Sequence, residues 1–186
     1  MARISLDPQQ SFSYRIGSWF LRRQFGEVLD PFRAQGHNVR VAKAFGKLEQ
    51  QVAKWDKLDP RLRDLADMTA AVTVGCPWCT DLGYWLLHTR GIPHEKVEAV
   101  PRWRESDLFD PLERLVMEYA EAMCETPPAV DDDLVKSLRA HLDEAELVEL
   151  TAIVAVENYR SRFNSALGLM PQGFKERCEV PVSLAA

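Results

Sequence analysis

No apolar run in this 186-residue sequence reaches the roughly 18 to 20 residues that a membrane span takes. Met1 to Ser11 also lack the uninterrupted apolar core of a secretory signal. A cytoplasmic protein without a membrane partner is therefore expected. A basic stripe with interleaved aromatics is missing too: the net charge is -5 and the pI near 5.4, and Arg15, Arg22 and Arg23 form only a small local group. Such a surface predicts no nucleic-acid partner. Cysteine is scarce, with four residues at 76, 79, 124 and 178, too few and too unevenly spread for the framework of a small secreted disulfide domain. Neither a second CxxC nor an HxxxH accompanies the close pair, so a four-ligand zinc site would have to recruit Cys124, Cys178 or a histidine from far along the chain. Low-complexity tracts and Gly/Ser linkers are lacking, and no segment alternates with the period of a half-buried strand.

What remains is a chain that is 46% hydrophobic, with a mean hydropathy of -0.25, long enough for one ordinary domain with a large core. Helical punctuation recurs along it, and the expected fold class is all-α. Val41, Ala44, Phe45, Leu48 and Val52 give one apolar face to a helix over Asn38 to Asp56. Asp59-Pro60 caps a second helix that runs to a stop at Gly75, and Cys76-Pro77 opens a third that ends at Gly91. Further helices are expected over Pro93 to Val100, from Asp110-Pro111 to Pro127-Pro128, over Asp131 to Leu142, and from Glu144 to about Leu167. Residues 1–37 read as a helical arm whose aromatics Phe12, Tyr14, Trp19, Phe20 and Phe25 need a surface to cover, and residues 38–186 as the main domain. That arm and the apolar stretch Leu147 to Ala155 predict a homo-oligomer.

The stretch GCPWCTDLGYWLLHTRG, residues 75–91, places Cys76 at a helix N-cap and Cys79 in the first turn. A thiol attacks only as thiolate, and a helix N-terminus lowers its pKa through free N–H groups and the positive dipole end. One sulfur can attack and the other, a turn away, can close a disulfide. Packing under a neighbouring helix and metal binding are the competing readings of the same pair. A thioredoxin-like context is excluded, because a helix rather than a strand leads into the motif. Asp64 and Asp67 on the preceding helix and Asp81, two residues after Cys79, are the nearby acids; Asp64 lies about three turns from the cysteine end and approaches the sulfurs only through the way the chain folds back, while His88 is too far along its helix to act as a direct base.

The acid-bearing helix, its glycine stop, the CxxC opening the next helix and the stretch ENYRSRFNSALG at 157–168 resemble the alkylhydroperoxidase D-like/carboxymuconolactone decarboxylase superfamily, over roughly residues 38 to 170. The resemblance implies an all-helical fold, assembly into dimers, trimers or hexamers, and thiol-dependent reduction of organic hydroperoxides in the CxxC-bearing branch. It implies Cys79 as the attacking thiol, Cys76 as the resolving one and Asp64 in place of the upstream glutamate of a proton relay. The histidine four residues after the second cysteine is Gly83 here, and the one sometimes found just before it is Trp78. Asp81 is then the nearest acidic replacement, and slow turnover is expected. The scheme needs a small hydroperoxide and a dithiol protein or small thiol as reductant, and no haem, flavin or metal cofactor. A decarboxylase or lyase acting on a small lactone acid, and a non-catalytic helical oligomer with redox-sensing or structural cysteines, are the alternatives. Glu157, Asn158, Arg160, Arg162 and Asn164 are expected to satisfy helix ends or an oligomer interface.

Overall fold

A computed structural model describes residues 2–179; residues 180–186, the tail of the expected domain, lie outside the described residues. Among the described residues the chain forms ten α-helices and one 3-10 segment, Val100–Glu105, with no strand. The all-α expectation holds.

The helix α4, Pro60–Val74, is the centre. Asp59 Oδ1 accepts the Arg61 N–H at 2.8 Å, Pro60 fills the first helical position, and Gly75 ends the helix at φ 75 in the left-handed region that favours glycine. Leu65, Ala66 and Ala70 have no exposed surface, so this helix is buried on nearly all sides. Its alanines allow α7, Pro111–Cys124, and α9, Glu144–Ala166, to approach closely. Leu62, Ala66 and Ala70 meet Val116, Ala120, Leu150 and Val154 there. On the other side Leu65 and Met68 meet Tyr84 and Leu87 of α5, Pro77–Thr89, and Val97 of α6, His94–Ala99. Each such side chain contributes about 1.5–3 kcal/mol by leaving water. The capping box at the start of α7 carries Glu113, which is fully buried and holds Lys96 Nζ at 2.6 Å, fastening α6 to α7. The remaining helices are α3, Val39–Val52, which ends in a tight turn before the expected Asp56, α8, Asp132–Arg139, and a last short turn, α10, Glu176–Glu179.

The arm is α1, Phe12–Phe25, followed by α2, Asp30–Gln35. Tyr14 stacks on Phe32 with ring centroids 5.1 Å apart, and Phe25 packs against Trp85 and Phe174. Phe12, Trp19 and Phe20 are 80%, 55% and 59% exposed, so the chain itself covers only part of the aromatic set. Within Leu147 to Ala155, by contrast, Leu150, Ile153 and Val154 lie in this chain's own core and Val148 is left outside.

A polar lock joins arm, CxxC helix and C-terminal segment. The buried Asp81 carboxylate accepts the backbone N–H groups of Gln172, Phe174 and Lys175 at 2.8, 3.2 and 2.8 Å. Gln172 Oε1 accepts from Trp78 Nε1 and the Asp30 N–H, and its Nε2 donates to Glu27. Replacing Asp81 strands three donors that water reaches poorly. Asp81→Ala is expected to cost about 2–4 kcal/mol in urea unfolding, with hydrogen exchange at residues 172–175 rising first. Native stability and unaltered exchange would contradict the lock.

Candidate functional site

The site begins with a reversal of the chain. Gly75 takes the left-handed conformation, Cys76 is extended at φ -95 and ψ 100, and Pro77 starts α5. Cys76 Sγ accepts the Cys79 N–H at 3.2 Å, so a sulfur fills the role that a serine or aspartate oxygen has at most helix starts. The two cysteines form a disulfide with a Cα–Cα distance of 5.3 Å. Cys76 is fully buried and Cys79 is 7% exposed. Both sulfurs therefore sit at the positive end of α5, where a thiolate is favoured when the bond is opened. From the opposite side α9 presents Asn164, whose Nδ2 donates to Cys79 Sγ at 3.2 Å. A donor aimed at the sulfur further favours its charged form.

Cys124 and Cys178 stand outside the disulfide. Cys124 accepts Asn158 Nδ2 at 3.2 Å, and burial pushes its thiol pKa up, the mark of an unreactive packing cysteine.

Of the acids read from the sequence, Asp81 stands two residues past Cys79, but its oxygens serve the C-terminal lock. Asp64 is buried and pairs with Arg90, the residue that ends α5, and with Arg63 at 3.7 Å. Burial pushes the Asp64 carboxyl up, against the pull of Arg90 and Arg63. It lies about 15 Å along α4 from the Gly75 turn, at the opposite end of α5 from the sulfurs. At Gly83 an added Cβ would meet Met68 Sδ at 2.7 Å, so the Met68 side chain occupies the room a side chain at position 83 would need. Trp78 points into the lock.

A cleft of about 500 Å³ opens beside the pair, with Cys76, Thr80 and Tyr84 on one wall and Met68, Val72 and Pro101 on another. Tyr84 donates to Glu98 and lies 3.3 Å from His94 Nδ1; Lys175 Nζ meets Glu98 at 3.0 Å and rides over the Tyr84 ring. The Tyr84 and Lys175 hydrogen bonds hold the Glu98 carboxyl below its usual range. The sequence carries no local sign of this cluster, because Tyr84, His94 and Glu98 converge only when α6 folds back on α5. The sequence offers Asn164, with Glu157, Asn158, Arg160 and Arg162, as a helix-end or interface group; in the fold Glu157, Ser161 and Asn164 share one face of α9, and that face is buried in the chain's own interior. Among the described residues no three His, Cys, Asp or Glu side chains stand together to hold a metal, and no helix is long and apolar enough to cross a membrane.

The family model described as the carboxymuconolactone decarboxylase family matches residues 40–122. The uncharacterised protein YnjA of Escherichia coli (strain K12) is 40% identical over 171 residues, covering 90% of this chain and 91% of the relative. Among crystal structures, the debrominase Bmp8 superposes with a TM-score of 0.81 at 20% identity over 93% of this chain and 95% of its own. A cysteine-to-alanine variant of Bmp8 in complex with 2,3,4-tribromopyrrole gives 0.83 at 18% identity, over 96% and 98%. The alkylhydroperoxidase AhpD core of an uncharacterised peroxidase-related protein from Ralstonia eutropha JMP134 also gives 0.83 at 18%, over 97% of both chains. At these identities the structures show a shared fold. With the matched family model and the relationship to YnjA, the chain belongs to the carboxymuconolactone decarboxylase family.

Proposed function

We propose that this protein is a cytoplasmic thiol peroxidase that reduces small organic hydroperoxides through a cycle of Cys79 and Cys76, working as a homo-oligomer. The observation that carries the reading is the Cys76–Cys79 disulfide at the start of α5, with Asn164 donating to the Cys79 sulfur and an apolar-walled cleft reaching Cys76. In the reduced pair the Cys79 thiolate attacks the terminal oxygen of the hydroperoxide. The O–O bond breaks, an S–O bond forms, and the alkoxide takes a proton to leave as alcohol. The Cys76 thiol then displaces water from the sulfenic acid, and a dithiol donor restores both thiols as its own disulfide forms. The cycle needs no bound cofactor. A lyase acting on a lactone acid has no use for a disulfide at a helix start.

The name of Bmp8 and its complex with a bromopyrrole favour a second reading on the same atoms. A thiolate that takes bromine from a ring carbon, followed by attack of the second thiol on sulfur, closes the same disulfide and releases bromide, while the ring carbon gains a proton. The cleft is roomy enough for a small planar ring.

Two sets of variants test the cycle. Cys76→Ser is expected to form a sulfenic acid with one equivalent of hydroperoxide and to stall or over-oxidise, whereas Cys79→Ser forms none, read by trapping and peptide mass spectrometry. The reverse pattern would exchange the two roles. Reaction of the reduced wild type with 2,3,4-tribromopyrrole, but not with hydroperoxide, would replace the first reading by the second.

Gly83→His alone is expected to leave peroxide turnover low, since Met68 Sδ fills the space. With Met68→Ala added, a base gains room near the pair, and turnover should rise about 10-fold or more. An unchanged rate in a folded double variant would show that the absent histidine does not limit the reaction.

A further inference from the structure

The cleft beside the disulfide is lined by Met68, Val72, Val97 and Pro101, and it carries its charge on Asp81, Glu98, Lys175 and Glu176. Among the described residues Lys175 is the one cation in that lining. Three contacts fix its place. The backbone N–H donates to Asp81 Oδ1 at 2.8 Å, the ammonium lies 4.6 Å from the centre of the Tyr84 ring, and Nζ meets Glu98 Oε1 at 3.0 Å. The Tyr84 hydroxyl donates to the same Glu98 oxygen. One arrangement of charge is thus built from α5, α6 and the C-terminal segment.

The side chains of Lys175 and Glu98 are 41% and 43% exposed, and an ion pair so open to water adds little to stability. Its larger effect is on the charge that an entering molecule meets. An ammonium with donors to spare, lining the same apolar cleft as Cys76, is a carboxylate-binding group. Glu98 cancels that charge from within the protein. The other acids push the same way, since the Asp81 carboxylate is committed to three backbone N–H groups and Glu176 is exposed. The start of α5 offers an anion little: Pro77 has no N–H, and the Cys79 N–H is taken by Cys76 Sγ. An anion would shed water on entering and meet no uncommitted cation, a cost that a neutral molecule escapes. The Tyr84 hydrogen bond, then that of Lys175, holds the Glu98 carboxyl below its usual range, so it is charged wherever a thiolate forms.

We infer that Glu98 determines specificity at this site: paired with Lys175, it reserves the cleft for uncharged molecules and turns away those that carry a carboxylate. This rests on the proposed use of the cleft as the substrate's approach to the pair, and it holds for a neutral hydroperoxide and a neutral bromopyrrole alike.

The test measures access to the sulfurs and uses no hydroperoxide. The reduced protein is alkylated with neutral iodoacetamide and with anionic iodoacetate, which differ in charge and little in size, and labelling of Cys76 and Cys79 is followed by peptide mass spectrometry. The ratio of the two rates cancels changes in thiol ionisation. In Glu98→Gln, which keeps a carbonyl for the Tyr84 hydroxyl and the Lys175 ammonium, the iodoacetate-to-iodoacetamide ratio should rise about 3-fold or more. In Lys175→Met it should fall below that of the parent, and in the double variant it should return close to it. These ratios in a protein that consumes no hydroperoxide would reject the peroxidase cycle and leave the charge selection standing. A ratio that Glu98→Gln leaves unchanged overturns the proposal. So does a rise that persists undiminished in the double variant, since Glu98 would then act without Lys175. Failure of both reagents to label the reduced pair would show that the cleft does not lead to the sulfurs, and overturns it too.

Discussion

The helix α5 is capped by sulfur: the Cys76 side chain accepts the Cys79 N–H at 3.2 Å, and the chain arrives there through the left-handed Gly75. Most of the molecule is arranged around that bond. It turns the chain back along α4 so that both sulfurs sit at the positive end of a helix. It leaves the pair facing α9 on one side, where Asn164 reaches Cys79, and a cleft on the other, which reaches Cys76. The Asp81 and Gln172 lock then ties the same first turns of α5 to the C-terminal segment and to the loop before α2. The lock holds the first turns of α5 through bonds that do not involve sulfur.

The polar face of α9 carries an energetic cost. Placing Glu157 among apolar helices disfavours its charge, and its folded pKa near 8 lies above the ordinary 4.5. A carboxyl shifted in that direction binds its proton more tightly in the folded chain than in the unfolded one. Its contribution is therefore most favourable below the ordinary value and is lost as pH rises through about 4.5 to 8. Arg160 softens that cost without removing it, and Asp67 adds to it. An apolar side chain at position 157 would avoid the cost.

Particular residues show how far the sequence speaks. Pro60, Gly75, Pro77 and the Asp110 and Asp143 caps are local signals, and they set α4, α5, α7 and α9 within a residue or two of where they lie. The CxxC at a helix start is a local signal too, but it leaves redox, packing and metal readings open, and the disulfide is what the folded chain adds. Asp81 was legible as a first-turn acid, but not its partners, which arrive from more than ninety residues away. Asp64 was legible as a helix acid, but its pairing with Arg90 depends on the length of α5. The Met68 side chain against Gly83 is a packing fact with no local signature. Local rules fix where helices start and stop; what their side chains touch is decided by which helices meet.

Under the proposed function the two thiols at the start of α5 give two electrons to an organic hydroperoxide. The most direct measurement mixes the fully reduced protein with one equivalent of cumene hydroperoxide under anaerobic conditions and follows intact mass, mapped disulfides and released alcohol together. Loss of two hydrogen atoms per chain, a disulfide mapped to Cys76 and Cys79, and one alcohol per disulfide are expected. Hydroperoxide left unconsumed beside thiols that stay reduced, or alcohol formed with the Cys76 and Cys79 thiols intact, would contradict it.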